Sequence, residues 1–134
     1  MPTQPGLVRQ AGVVPIRAGQ VCLVTSRSGK RWVVPKGNME PGRPAGEVGL
    51  QEAWEEAGLV GLLRQEPLGS FFYEKMGLLC HVIVFQLDVT GEVDYYPETG
   101  LRQRIWLPIA PALQRLDDPG LKDILRAMQM RSAG

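Results

Sequence analysis

The stretch that most restricts what this chain can become is Gly37 to Leu59, GNMEPGRPAGEVGLQEAWEEAGL, a glycine- and proline-bearing loop running straight into a glutamate-rich segment. Ala45 to Ala57 reads as a helix, with Gly58 as its C-terminal stop. Glu52, Glu55 and Glu56 stand at i, i+3 and i+4 and so share an arc of about 100° on its surface. Carboxylates packed that closely repel one another unless a cation lies between them. An all-oxygen donor set favours a hard ion, Mg²⁺ or Mn²⁺. The other face offers Val48, Ala53 and Trp54 as apolar anchors.

Such a site suits attack of water on a phosphoryl group. The metal neutralises charge and activates the water, while a free carboxylate on the same helix accepts the proton. Gly37 and Gly42 let the backbone approach an ion or ligand without a Cβ intervening, and the main chain at Gly37 is a candidate for the metal shell. Lys36 beside it meets phosphate as a point charge. The plain alternative is a solvated helix face, because E-x-x-E-E alone is common on exposed helices.

At 134 residues, with 44% hydrophobic and 22% charged content, the chain suits one domain over residues 1–134 built around one core. The net charge of +1 hides a skew. Seven cations and one acid in residues 1–43 give +6, and eight cations and thirteen acids in residues 44–134 give −5. A compact fold can set the basic part beside the acidic helix, an arrangement suited to a polyanionic ligand. The basic residues form no run or arginine-rich helix, so no nucleic-acid partner is expected. No apolar run is long enough to span a bilayer, and MPTQPGLVRQAG lacks the layout of a signal peptide. Cys22 and Cys80 read as buried free thiols. The expectation is a cytoplasmic protein, monomer or homodimer, with no membrane partner.

The rest of the chain reads as strands and helices in mixed order. Leu7–Arg17 and Gln20–Ser26 are strands about an Ala18-Gly19 turn, and Arg31–Val34 is a short third. Lys36–Pro44 is expected to be a loop. Leu59–Tyr73 and Leu78–Val89 read as a long antiparallel pair, the second apolar enough to be central. Arg104–Leu107 is a last short strand, and Ala110–Met130 forms one or two helices. This makes an α/β or α+β arrangement, a mixed sheet with helices on its faces.

The loop and helix together resemble the Nudix box, G-x5-E-x7-R-E-U-x-E-E-x-G-U, with U aliphatic. Gly37, Glu52, Glu55, Glu56, Gly58 and Leu59 fall on its positions, with Ala53 at the first U. VCLVTSRSGKRWVVPKG upstream and LGSFFYEK, HVIVFQLDV and RQRIWLP downstream resemble the family's other strands. The resemblance implies an α/β/α sandwich with a mixed central sheet and a Mg²⁺- or Mn²⁺-dependent pyrophosphatase. Glu52, Glu55 and Glu56 would be its catalytic and metal-binding residues, and Gly37 would complete the metal set. Two positions depart from the box: Arg43 stands where Glu is expected and Gln51 where Arg is expected.

Within the family, RWVVPKG followed by NMEPG looks closest to diphosphoinositol polyphosphate phosphohydrolases and diadenosine polyphosphate hydrolases. That implies a small-molecule polyphosphate partner, a nucleoside or dinucleoside polyphosphate or a diphosphoinositol polyphosphate. Arg9, Arg17, Ser26, Arg27 and Lys36 are the candidate phosphate contacts, any of which also suits plain surface solvation. Tyr95 and Tyr96 lie in a polar loop where exposed aromatics can stack on a nucleobase. Glu98, in the same loop, is a candidate late-loop metal ligand as in some relatives. His81, Trp32 and Trp106 read as packing residues. The alternative to an enzyme is a degenerate box acting as a sensor of a phosphorylated ligand, or as an interaction module, without efficient hydrolysis.

Overall fold

A computed structural model describes residues 6–133. Of MPTQPGLVRQAG, the stretch read against a signal peptide, residues 1–5 lie outside the described residues. Among the described residues, no helix is long and apolar enough to cross a membrane.

Two long strands carry the architecture. β1 (Leu7–Arg17) runs parallel to β7 (Leu78–Glu92) in unbroken register from Leu7–Leu79 to Ile16–Asp88. The outer edge of β1 is divided between β4 (Lys36–Asn38) and β2 (Gln20–Thr25). The outer edge of β7 is likewise divided between β6 (Gly69–Lys75) and β5 (Leu59–Leu63), both antiparallel to it. β2 adds β3 (Trp32–Val33) and β8 (Arg104–Pro108), completing an eight-stranded mixed sheet. The segment 59–73, expected as one strand, is therefore two. Arg64 to Leu68 leaves the sheet at Glu66-Pro67, where proline has no N–H for the ladder.

Both tight hairpins use two-residue turns with positive φ at each position, Ala18-Gly19 (51° and 75°) and Met76-Gly77 (53° and 77°). That pattern matches the twist of the flanking strands. The strands alternate between two cores. Val14, Val21, Leu23, Val82 and Val84 face α2 (Ile109–Arg115) and α3 (Pro119–Ala133), with Leu116, Leu121 and Leu125. Val13, Cys22, Val24, Phe85 and Leu87 face α1 (Ala45–Ala57), with Ala53 and Ala57. One helix on one face and two on the other make the expected α/β/α sandwich.

α1 lies close on the sheet because glycines meet there. A Cβ on Gly49 would come 3.0 Å from Val13 Cγ1 and 3.2 Å from the Gly12 carbonyl. Val48 and Ala53 are buried as expected, but Trp54 is exposed. It lies at the helix edge, beside Leu59 and Val60, and does not anchor the core. Cys22 and Cys80 are buried and unpaired, and burial pushes the Cys22 thiol up to about 12.

Candidate active site

The helix brings Glu52 and Glu56 together at i and i+4, and their position against the sheet sets their chemistry. Glu56 is only 5% exposed. One of its oxygens accepts the backbone N–H of Lys36 at 3.3 Å, and the other lies 3.6 Å from Arg102 Nη2. Glu52 packs flush on Gly37, where a Cβ would stand 2.7 Å from Glu52 Oε1. A side chain at this position would have to push the Glu52 carboxylate aside. β4 pairs with β1 instead of forming the loop expected over Lys36–Pro44, and this pairing brings Gly37 and Lys36 under the helix.

The two carboxyls are close enough to share a proton. Burial, then the adjacent Glu56, pushes Glu52 up to about 8. Burial also raises Glu56, against the pull of Arg102. The pair titrates as a unit. Glu55 lies beside Glu52 as well and pushes it up further. Its Oε1 accepts a hydrogen bond from Gln51 Nε2 at 2.8 Å, and Gln51 Oε1 in turn accepts one from Arg43 Nη1 at 2.6 Å.

A basic cleft of about 430 Å³ opens beside Glu56. Arg27, Arg31, Lys36, Lys75 and Arg102 line it, with Glu56 as its acid. Its floor is Tyr73, whose hydroxyl donates to Gln10 Oε1 at 2.7 Å, with Gln10 Nε2 donating in turn to Asn38 Oδ1 at 2.9 Å. Lys36 Nζ lies 5.1 Å from the centre of the Tyr73 ring, and burial lowers its pKa to about 8 against the opposing pull of Glu56.

Of the expected phosphate contacts, Ser26, Arg27 and Lys36 reach this cleft. Arg9 and Arg17 are not among its lining residues. Arg9 is exposed next to Gln10, so strand alternation points it to the opposite face. Arg17 pairs with Glu92 at 3.0 Å and stacks 4.3 Å over Trp106. Glu98 accepts from Arg102 Nε at 2.8 Å, so a guanidinium separates it from Glu56. Tyr96 covers Gly58 and stacks 5.1 Å from Arg104, while Tyr95 is exposed; neither lines the cleft. Trp32 and Trp106 pack against the two cores, and His81 stacks on Phe72 at 4.4 Å.

Arg102, Arg31 and Lys75 are the cleft cations that the sequence reading passed over. Arg102 is anchored on the Thr25 carbonyl at 2.9 Å, a partner 77 residues away. No local pattern signals that meeting. Lys75 had a signal: it closes the Met76-Gly77 turn that sets it at the cleft mouth.

Among the described residues, no three His, Cys, Asp or Glu side chains are grouped to hold a metal. The donor chemistry still fits one hard cation. Two carboxylates converge beside a glycine that leaves room, with Arg102 and Lys36 offsetting only part of the charge, and Mg²⁺ takes only one or two protein carboxylates.

The layers, and the way the 36–44 segment crosses under α1, define an α/β/α sandwich of the Nudix type. The chain belongs to the Nudix family: the profile described as NUDIX domain matches residues 6–128. Nudix hydrolase 12, mitochondrial, of Arabidopsis thaliana is 34% identical over 131 residues, covering 89% of this chain and 64% of that protein. Human diphosphoinositol polyphosphate phosphohydrolase 3-beta is 32% identical over 103 residues, 75% of this chain and 62% of that one. The chain thus spans less than two thirds of the length of these relatives. The solved C. elegans Ap4A hydrolase binary complex shares the fold at a TM-score of 0.74 and 24% identity, over 95% of this chain and 98% of that one.

Proposed function

We propose that this chain hydrolyses a phosphoanhydride bond in a crowded, non-nucleoside polyphosphate, a diphosphoinositol polyphosphate being the model substrate. The observation that carries the reading is the junction of half-buried Glu52 and buried Glu56 with a cleft of five cations. Glu52 and Glu56, with the backbone at Gly37, would hold Mg²⁺ or Mn²⁺. The bound cation would supply charge neutralisation and a water of lowered pKa.

The chain's own groups do the rest. Arg27, Arg31 and Lys75 take the outer phosphates, and Arg102 and Lys36 sit where the chain of phosphates meets Glu56. Fixing the substrate against a carboxylate in this way supplies orientation as well as charge. Glu55, beside Glu52 and oriented by Gln51, is the carboxylate placed to accept a proton. The aromatic in the cleft is Tyr73, 9% exposed with its hydroxyl committed to Gln10, so no ring is offered for a base to stack on. That favours the substrate named by the human relative over a dinucleoside polyphosphate.

A panel of diphosphoinositol, dinucleoside and nucleotide-sugar diphosphates, each with Mg²⁺ and with Mn²⁺, tests this. Metal-dependent turnover should be fastest on the diphosphoinositol compound, and Glu56→Gln should lower kcat about 100-fold or more. Absence of metal-dependent turnover on every member would overturn it. A second reading, a binding module without efficient hydrolysis, draws on the absence of a grouped carboxylate triad among the described residues. It requires tight calorimetric binding of the same compounds with turnover at background.

A further inference from the structure

Arg43 and Gln51 stand where the box expects Glu and Arg, so the cation has moved from the helix to the loop. Taken singly, each change removes something. The structure joins them. Arg43 Nη1 donates to Gln51 Oε1 at 2.6 Å, and Gln51 Nε2 donates to Glu55 Oε1 at 2.8 Å. A carboxamide has an acceptor end and a donor end. With a guanidinium fixed on its oxygen, Gln51 can turn only its NH₂ toward Glu55. Without that guanidinium, the amide is free to rotate and bring its oxygen against the carboxylate, which repels it.

The loop is shaped to deliver the guanidinium. Gly42 takes φ of 78°, and the Arg43 N–H bonds the Glu40 carbonyl at 3.1 Å, closing a turn immediately before α1. Arg43 Nη1 also contacts Glu40 Oε2 at 3.3 Å, but Glu40 is exposed, and its hold on the arginine is correspondingly weak. The strong contact of Arg43 is the one to Gln51.

We propose that Arg43 is a positioning residue that acts through Gln51 to orient Glu55, so that the two departures from the box work as one exchanged device. The assignment of a catalytic task to Glu55 rests on the hydrolase reading above. The relay itself does not.

Two measurements separate these. In the first, urea unfolding of the metal-free protein is compared for Arg43→Ala, Glu55→Ala and the double variant, in the native background and in Gln51→Leu. Positions 43 and 55 should couple by about twofold in the unfolding constant with Gln51 present, and not measurably with leucine there. Equal coupling in both backgrounds, or none in either, overturns the relay whether or not any substrate is turned over. In the second, on whichever diphosphate is hydrolysed, Arg43→Ala should lower kcat about tenfold with KM within twofold, and Arg43→Lys should recover most of it. Gln51→Glu still accepts from Arg43 but has no N–H for Glu55, so it should lower kcat at least as far as Arg43→Ala, with the like-charge pair raising the unfolding constant only about twofold. Full kcat in Gln51→Glu overturns the proposal.

Discussion

The two ends of α1 are held in opposite ways. At its C-terminus, Gly58 takes φ of 66° and returns its N–H to the helix carbonyls. Arg104 Nη1 caps the Ala57 carbonyl at 2.7 Å, and the Glu98 N–H bonds the Glu55 carbonyl at 2.9 Å. Arg102, almost buried, ties the following loop to Glu56. At its N-terminus the helix begins after Pro44 with no side-chain cap, and Arg43 is its polar tether. Glu56 and Gly58, two of the residues that match the box, lie at the locked end. Of the two departures, Arg43 lies at the loose end and Gln51, at mid-helix, is exposed, so a swap of charge disturbs little besides the side chains involved.

Breaking the locked end should therefore cost most. Arg102→Ala leaves buried Glu56 and half-buried Glu98 beside each other without their shared cation. Removing one partner of such a pair destabilises by about 3 kcal/mol. Urea denaturation of the metal-free protein reads this directly. A loss under about 1 kcal/mol would mean that the locked end does not depend on this guanidinium.

Gly58→Ala tests the same end through the backbone. A left-handed conformation costs a non-glycine residue about 1–2 kcal/mol, and the added Cβ would sit 2.9 Å from both Tyr96 Cγ and the Val93 carbonyl oxygen. We expect about 2 kcal/mol in total, with the Tyr96–Arg104 stack disturbed and the near-ultraviolet circular dichroism altered. An unchanged spectrum would place Tyr96 outside the helix lock.

How far these two ends could be read beforehand follows the same division. The helix limits, the Gly58 stop and the three carboxylates lie within one 23-residue stretch, and local spacing is enough for them. The divided edges of β1 and β7 were not legible, because β4 looks like loop until β1 offers it a partner. Nor was Arg102 legible. Its three partners, at positions 25, 56 and 98, are gathered only by the folded sheet. The acidic half of the site was thus local and readable, while its basic half is tertiary. That is why, of the five residues expected to contact phosphate, Ser26, Arg27 and Lys36 line the cleft while Arg9 and Arg17 fall outside its lining.

The carboxyl pair itself should make the locked end pH-sensitive when no metal is present. Glu52 titrates near 8 in the fold, above the ordinary value of 4.5, so the folded state holds its proton more tightly than the unfolded chain does. Its contribution is then complete below pH 4.5 and lost as pH rises through 8. Lys36 acts in the next window. Lowered from 10.5 to about 8, it releases its proton first in the fold, so stability recovers between those values. Metal-free protein should show a shallow minimum near pH 8, deeper by about 1–2 kcal/mol than at pH 5 after solvent screening. Excess Mn²⁺ should raise Tm more at pH 8 than at pH 5, because protons and metal compete for the same oxygens. A Tm that rises steadily from pH 5 to 8 without metal would separate Glu52 from Glu56.

The smallest effect on stability is expected at the loose end, and it carries the sharpest contrast. Arg43→Ala removes an exposed ion pair with Glu40 and one hydrogen bond to Gln51. Exposed pairs of this kind contribute about 0.5 kcal/mol or less, so thermal unfolding should shift by only about 2 °C or less. If Arg43 served to hold the helix, its loss would register alongside that of Arg102. If it instead turns the Gln51 amide toward Glu55, the fold scarcely responds while turnover falls. Calorimetry and turnover on the same Arg43→Ala sample set these two outcomes side by side. A large drop in Tm with proportionate loss of turnover would make the two ends of α1 alike, and the contrast between them would not stand.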